Sequence, residues 1–221
     1  MLKPQDLLVS CKILSVELRS AESRPYSPKS ILSELEGVVW EIDSGSSEEA
    51  ERELEVIEEF LSREIKIQAK WNYRQLASEL FISLSETNKS VGRAIESGLL
   101  IKIGNDIRVN RPSLEKFIRF GAPVVFSTKV GAIVRGIPTA HAAPVFRDDI
   151  ASSSDLSPVW PDPLGKVRGM SVEPLYKSAA KAALIDTELY GLLATIDVFR
   201  IGDSRSQQIA GERLSKTLEG Q

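Results

Sequence analysis

Apolar positions recur at helical spacing in the first part of this chain, shift to short β-branched runs in the middle, and return to helical spacing at the end. From Pro4, the residues Leu7, Cys11, Leu14 and Leu18 follow at steps of four, three and four. That predicts an amphipathic helix with proline in its first turn, where a missing N–H costs nothing. Ser27-Pro28 opens a short helix carrying Ile31, Leu32 and Leu35 and ending at Gly37. Leu54, Ile57, Leu61 and Ile65 mark the buried stripe of a longer helix over about 48–65. The stretch 72–109 has the densest signals. Asn72 and Gln75 stand at capping-box spacing before a helix over about 73–81 with Leu76, Ala77 and Leu80 inside. Ser83 and Glu86 repeat that spacing before a second helix with Thr87, Val91, Ala94 and Ile95 inside and Gly98 at its end. Strand candidates 99–103 and 107–109 flank the turn Gly104-Asn105-Asp106.

Helix, tight turn, helix and hairpin in that order predict a winged helix-turn-helix. With the apolar stripe inward, the second helix presents Ser85, Glu86, Asn88, Lys89, Gly92 and Arg93 outward. Ser85, Asn88, Lys89 and Arg93 suit the base edges and phosphates of a major groove. Lys102, Asn105 and Arg108 on the hairpin suit the backbone or minor groove of double-stranded DNA. Glu86 and Asp106 oppose that reading, and winged helices also serve as protein-docking modules.

Beyond this module, Asn110 to Pro112 breaks the chain, and Ser113 is the expected cap of a short helix with Leu114, Phe117 and Ile118, closed by Gly121. Val124 to Phe126 and Val130 to Val134 read as a hairpin or two strands. A small-residue loop, Gly136 to Pro144, holds the lone His141; with no nucleophile motif beside it, a hydrogen-bonded structural histidine is expected. Residues 147–158 read as a linker, and the prolines after Val159 and Trp160 require extended backbone. Lys166 and Arg168 lie in a small basic loop without a phosphate-binding glycine pattern. The end is helical: an alanine-rich stretch 178–184, a helix after Asp186, and a last helix with Ser204 and Gln207 at capping-box spacing. The last two make a helical hairpin suited to dimerisation.

The fold class expected is therefore α+β and helix-rich. Residues 1–121 form the winged domain with an acidic helical insertion at about 20–69, and residues 122–221 form a C-terminal region for dimerisation or partner binding.

Charge sharpens this. The net charge is −3, yet residues 41–64 hold ten acidic groups against Arg52 and Arg63, so the remainder is +5. A mildly basic remainder fits a modest DNA site strengthened by a homodimer. One cysteine and one histidine exclude a disulfide framework and a Cys/His zinc site, and fit a reducing cytoplasm. No apolar run spans a bilayer, so no membrane partner is expected. No cofactor, metal or catalytic residue is expected, and so no enzyme activity.

The residues SETNKSVGRAIESGLL, 85–100, resemble the recognition helix and first wing strand of MarR-type bacterial regulators. The wider chain resembles a little-characterised group of bacterial winged-helix proteins with an MLKPQDLL opening (1–8), a GxPTAHxAP segment (136–144) and a VWPxPxGxxRG segment (159–169). The resemblance implies the fold and DNA binding. In that group the first helix runs almost directly into WxYxxLA (71–77 here), which makes 20–69 an insertion. The function expected is a sequence-specific DNA-binding transcriptional regulator. The alternative is a protein-interaction adaptor or antitoxin-like component, docking a partner through the acidic helix or the C-terminal half.

Overall fold

A computed structural model describes residues 1–21, 48–62, 71–147, 149–150 and 156–219. It is α+β and helix-rich, as the periodicities predict. Most of the expected insertion, including the short helix after Ser27, lies outside the described residues.

Two helices organise the interior. The first, α1 (Pro4–Ala21), is buried from Asp6 to Val16 on every side. The other, α8 (Thr187–Ile201), is apolar around most of its circumference, the pattern of a helix enclosed by its neighbours. Between them in the chain come α2 (Glu48–Ser62), α3 (Tyr73–Glu79), α4 (Leu84–Glu96), the hairpin β1 (Leu100–Ile103) and β2 (Asp106–Val109), α5 (Arg111–Lys116) and α6 (Ala122–Val125). Then follow β3 (Val130–Pro138), β4 (Pro158–Pro161), β5 (Val167–Val172) and α7 (Ala179–Ala183), with α9 (Ser204–Glu219) closing the fold. One hydrophobic cluster contains Leu7, Leu14, Leu76, Val91, Ile118, Leu193 and Leu214, drawn from both halves of the sequence.

Polar groups join the two organising helices inside that cluster. Lys12 on α1 is buried and pairs with Glu79 of α3 and with Asp186, 2.6 Å away. Asp186 also accepts Ser15 Oγ and the Leu189 N–H, so the same carboxylate caps α8. Burial alone would raise the Asp186 carboxyl, but Lys12 and Arg19 outweigh it and hold it below its ordinary range.

Several expected boundaries move for identifiable reasons. Gly121 does not end a helix. The chain widens into a π turn over Phe117–Gly121 and continues as α6, with Pro123 in the first turn of the new segment. Ile118 and Ala122 thereby stay on one buried face, so Val124 to Phe126 is not a strand. The anticipated division between 121 and 122 falls inside this helical run. Asn110, not Ser113, supplies the cap of α5, accepting the Ser113 N–H at 3.4 Å. Asp203, not Ser204, caps α9 by accepting the Ser206 N–H at 2.8 Å. Gln207 turns back to the carbonyls of Phe199 and Gly202. Leu54, expected inside, is exposed, and among the described side chains of α2 only Ile57 is fully buried.

The strands β3, β4 and β5 each pair with the other two: β3 runs antiparallel to both, and β4 and β5 run parallel. The strand β5 thus falls on the segment of Lys166 and Arg168 that reads from the sequence as a small basic loop. Closing so few strands requires backbones in contact. A Cβ on Gly136 would stand 2.1 Å from the Trp160 carbonyl oxygen, and one on Gly165 would stand 2.1 Å from the Gly136 carbonyl carbon. The two motif segments converge on α8. Thr139 Oγ1 and the Trp160 indole N–H both donate to buried Asp197, at 2.7 and 2.6 Å, and Arg200 pairs with its other oxygen at 2.6 Å.

Candidate nucleic-acid interface

The helix α3 ends with Leu80 as its C-cap, and Phe81 then takes the left-handed conformation at φ 53°. The Ile82 N–H reaches back to Ala77 O and the Phe81 N–H to Ser78 O, which satisfies the last carbonyls while the chain turns. A left-handed phenylalanine costs free energy relative to glycine. It is held because Lys181 stands 5.1 Å over its ring and Ser178 Oγ donates to Leu80 O. This turn sets the angle at which α4 leaves.

Ser83 caps α4 by accepting the Glu86 N–H at 3.1 Å. The reciprocal half of the capping box is replaced: the Glu86 carboxylate accepts Gln5 Nε2 at 2.9 Å and Arg93 Nη2 at 2.8 Å. Those two donors hold Glu86 below its usual range. Gly98, at φ +75°, closes α4, with the Leu99 N–H bonded to Ala94 O and the Gly98 N–H to Ile95 O.

Three of the four expected contact residues on α4 lie where the sequence places them. Ser85, Asn88 and Lys89 are exposed along one side, and Asn88 Nδ2 donates to Leu84 O one turn back. An added Cβ on Gly92, farther along the helix, would meet nothing within 4 Å. The fourth, Arg93, is corrected. Its guanidinium turns inward: Nε and Nη2 both reach the buried Asp6 carboxylate at 2.6–3.0 Å, and Nη2 also meets Glu86 and Ser90. The reason is the neighbour that periodicity within α4 could not reveal. The first turn of α1 crosses α4 there and brings a buried carboxylate that needs a cation.

The hairpin register also separates residues that the sequence groups together. Leu100 pairs with Val109 and Lys102 with Ile107, while Ile101 pairs with Arg108 and Ile103 with Asp106. Paired residues in an antiparallel ladder share a face. Lys102 therefore stands on the face that carries buried Leu100 and Val109, and Arg108 on the opposite one. Asn105 lies exposed at the tip. The outward face also carries Ile101 and Ile103, 38% and 56% exposed. Glu17 of α1 accepts the Val109 N–H at 3.0 Å and fixes the base of the return strand.

Arg74 was not singled out from the sequence. It is exposed in the first turn of α3, and only the relative placement of α3 and α4 gives its position meaning. Conversely, His141 lies half-buried in a 3-10 turn; burial lowers its imidazole pKa, and Asp203 pulls it the other way. In this segment Thr139 Oγ1 donates to Asp197, and Pro138 O accepts the Tyr190 hydroxyl. No group of three or more His, Cys, Asp or Glu among the described residues could hold a metal ion. No helix among them is long and apolar enough to cross a membrane.

Comparison with protein-family models, with curated proteins and with solved structures finds no match to the chain. The likeness of residues 85–100 to MarR-type regulators therefore rests on those residues alone.

Proposed function

We propose that the chain is a winged helix-turn-helix protein that binds double-stranded DNA, with α4 in the major groove and the β1–β2 hairpin against the flanking backbone, and that it acts as a sequence-specific regulator. The observation that carries this reading is the exposed side of α4. It presents Ser85, Asn88 and Lys89, while the nearby Glu86 is drawn toward Arg93 and Gln5. Short donors and acceptors with one cation can enter a groove and meet base edges and phosphate together. Arg74, Lys102 and Arg108 are exposed on the same module; since Lys102 and Arg108 lie on opposite faces of the hairpin, one of the two joins Arg74 as a further phosphate partner. A homodimer on a two-fold site belongs to the same proposal, because one modest face binds weakly.

The test uses the full chain and duplexes selected from random sequence. Binding weakens as salt rises, and Lys89→Ala weakens it across all sequences and flattens the salt dependence by about one phosphate. The mass of the complex on the selected duplex gives the number of chains bound. Duplex binding that is absent, or indifferent to salt, defeats the proposal.

A second reading has its own observation. Ile101 and Ile103 give the wing an apolar outer face, which suits a protein surface better than a phosphate backbone. On this reading the chain is an adaptor or an antitoxin-like component. Ile103→Lys separates the two: it abolishes capture of a protein partner, but leaves duplex affinity unchanged or raises it.

A further inference from the structure

Arg93 belongs to the recognition helix yet faces away from the surface on which that helix would read DNA. Both of its bonded nitrogens are committed to the body of the protein. Nε and Nη2 form a two-pronged pair with Asp6, whose other partners are the Lys3 N–H at 2.8 Å and, through its backbone carbonyl, Ser10 Oγ. Asp6 thus holds the first turn of α1 together and grips α4 in the same stroke. A planar guanidinium fork on a carboxylate fixes orientation as well as distance, which a lysine ammonium does not. Seven residues nearer the start of α4, Glu86 shares Nη2 of the same guanidinium and is bonded by Gln5 from α1. The recognition helix is therefore tied to α1 twice, in its first turn at Glu86 and about two turns later at Arg93.

We infer that Arg93 is a positioning residue for DNA reading: its pair with Asp6 fixes how α4 is rolled against α1, and its contact with Glu86 keeps that carboxylate from facing the phosphates. This rests on the DNA-binding reading above. The inference assigns Arg93 no contact with DNA, so it makes a different claim from the one that the sequence suggests. An arginine that touches phosphate contributes one counterion to the salt dependence; an arginine that sets the roll of the helix contributes none, but changes which bases the helix reaches.

The experiment measures the affinity of the full chain for its selected duplex and for a random duplex across a potassium chloride series. It compares wild type with Lys89→Ala, Arg93→Gln, Arg93→Lys and the double variant Arg93→Gln with Glu86→Gln. For Arg93→Gln, the ratio of selected to random affinity falls about ten-fold or more while the salt slope stays at the wild-type value; a base read out of register carries a discrimination penalty of that order. Arg93→Lys keeps the charge, loses the fork, and falls between the two. Adding Glu86→Gln to Arg93→Gln restores affinity for random duplex, because the uncovered carboxylate is gone, but does not restore the ratio.

The inference is overturned if Arg93→Gln lowers the slope by about 0.9 with the ratio intact, since that is the signature of a direct phosphate contact. It is equally overturned if neither Arg93→Gln nor Arg93→Lys moves the ratio. Loss of folded chain lowers both affinities together and leaves the ratio in place, so a merely structural role does not imitate the result. If Arg93→Gln does not fold, Arg93→Lys carries the test alone. A wild-type chain with no salt-dependent duplex binding removes the DNA reading and this inference together. A selective wild type with an unmoved ratio removes only the inference.

Discussion

Replacing Lys12 by methionine removes one charge from the centre of the molecule and little else, because the aliphatic stem and volume are retained. In the native chain the ammonium lies between Glu79 and Asp186, all three groups being buried. Losing one member of a buried ionic cluster costs about 3–5 kcal/mol, chiefly through the charge left behind. Here the carboxylates keep other partners: Gln75 Nε2 reaches Glu79 at 2.8 Å, and Ser15, the Leu189 N–H and Arg19 remain at Asp186. The expected loss is therefore at the lower end, about 3 kcal/mol. For a chain of this length it appears as a fall in melting temperature of roughly 6–12 °C.

Its pH dependence identifies the cause. In wild type the folded Asp186 pKa lies below the unfolded value, so its stabilisation is present at neutral pH and lost as pH falls through the folded value. In Lys12→Met, Asp186 loses the cation that most lowers it, so its carboxyl moves upward and the variant gains stability on acidification. Urea unfolding at pH 7.5, 6 and 5 follows both chains, and the gap between them narrows toward acid. A loss under about 1 kcal/mol at pH 7.5, or a gap that does not depend on pH, refutes the account of this cluster.

Two further perturbations probe other parts of the fold. Burial raises Asp162 to about 6, with Glu53 adding to the rise, while the Leu164 N–H and Lys181 oppose it. The folded chain therefore holds that proton more tightly than the unfolded chain, and the associated stability is complete below about pH 4 and lost as pH rises through 6. Asp162→Asn keeps an oxygen for the Leu164 N–H, so at pH 7 it should be more stable by on the order of 1–2 kcal/mol. Its stability between pH 4 and 6 should also be flatter, and parallel wild-type and variant curves would refute this. Cys11 lies wholly inside α1, and burial pushes its thiol up to about 12. A thiol reagent at pH 8 should leave it unmodified in the folded chain and label it at once in denaturant; rapid labelling of the folded chain would mean that α1 opens readily.

Local signals in the sequence located most elements correctly. Ser83, Asn72 and Gly98 mark helix ends by their own backbone chemistry, and the structure uses all three. The failures share a cause. Arg93 and the Val124 to Phe126 segment are each governed by a surface contributed from elsewhere in the chain. Asp6 lies 87 positions from Arg93. No period within α4 distinguishes an arginine that faces solvent from one that meets a carboxylate of α1. The hairpin is intermediate: its turn was legible at Gly104-Asn105, but only the pairing register puts Lys102 and Arg108 on opposite faces.

The placement of α1 also bears on what residues 71–109 can do by themselves. Residues 71–109 contain the elements that would read DNA, yet Leu76, Leu80, Val91 and Ala94 are buried within a cluster that includes Leu7, Leu14 and Leu193. The turn between α3 and α4 is held by Ser178 and Lys181 from the C-terminal half. The helix α4 is held by Asp6 and Gln5, and the β1–β2 hairpin by Glu17. Through Lys12 and Asp186, α1 in turn is anchored to the start of α8. An excised module would lose each of these restraints and expose its apolar stripe. The angle of α4 is therefore a property of the whole chain, and a change that loosens the contact between α1 and α8 would reach the face of α4 proposed to read DNA without touching it.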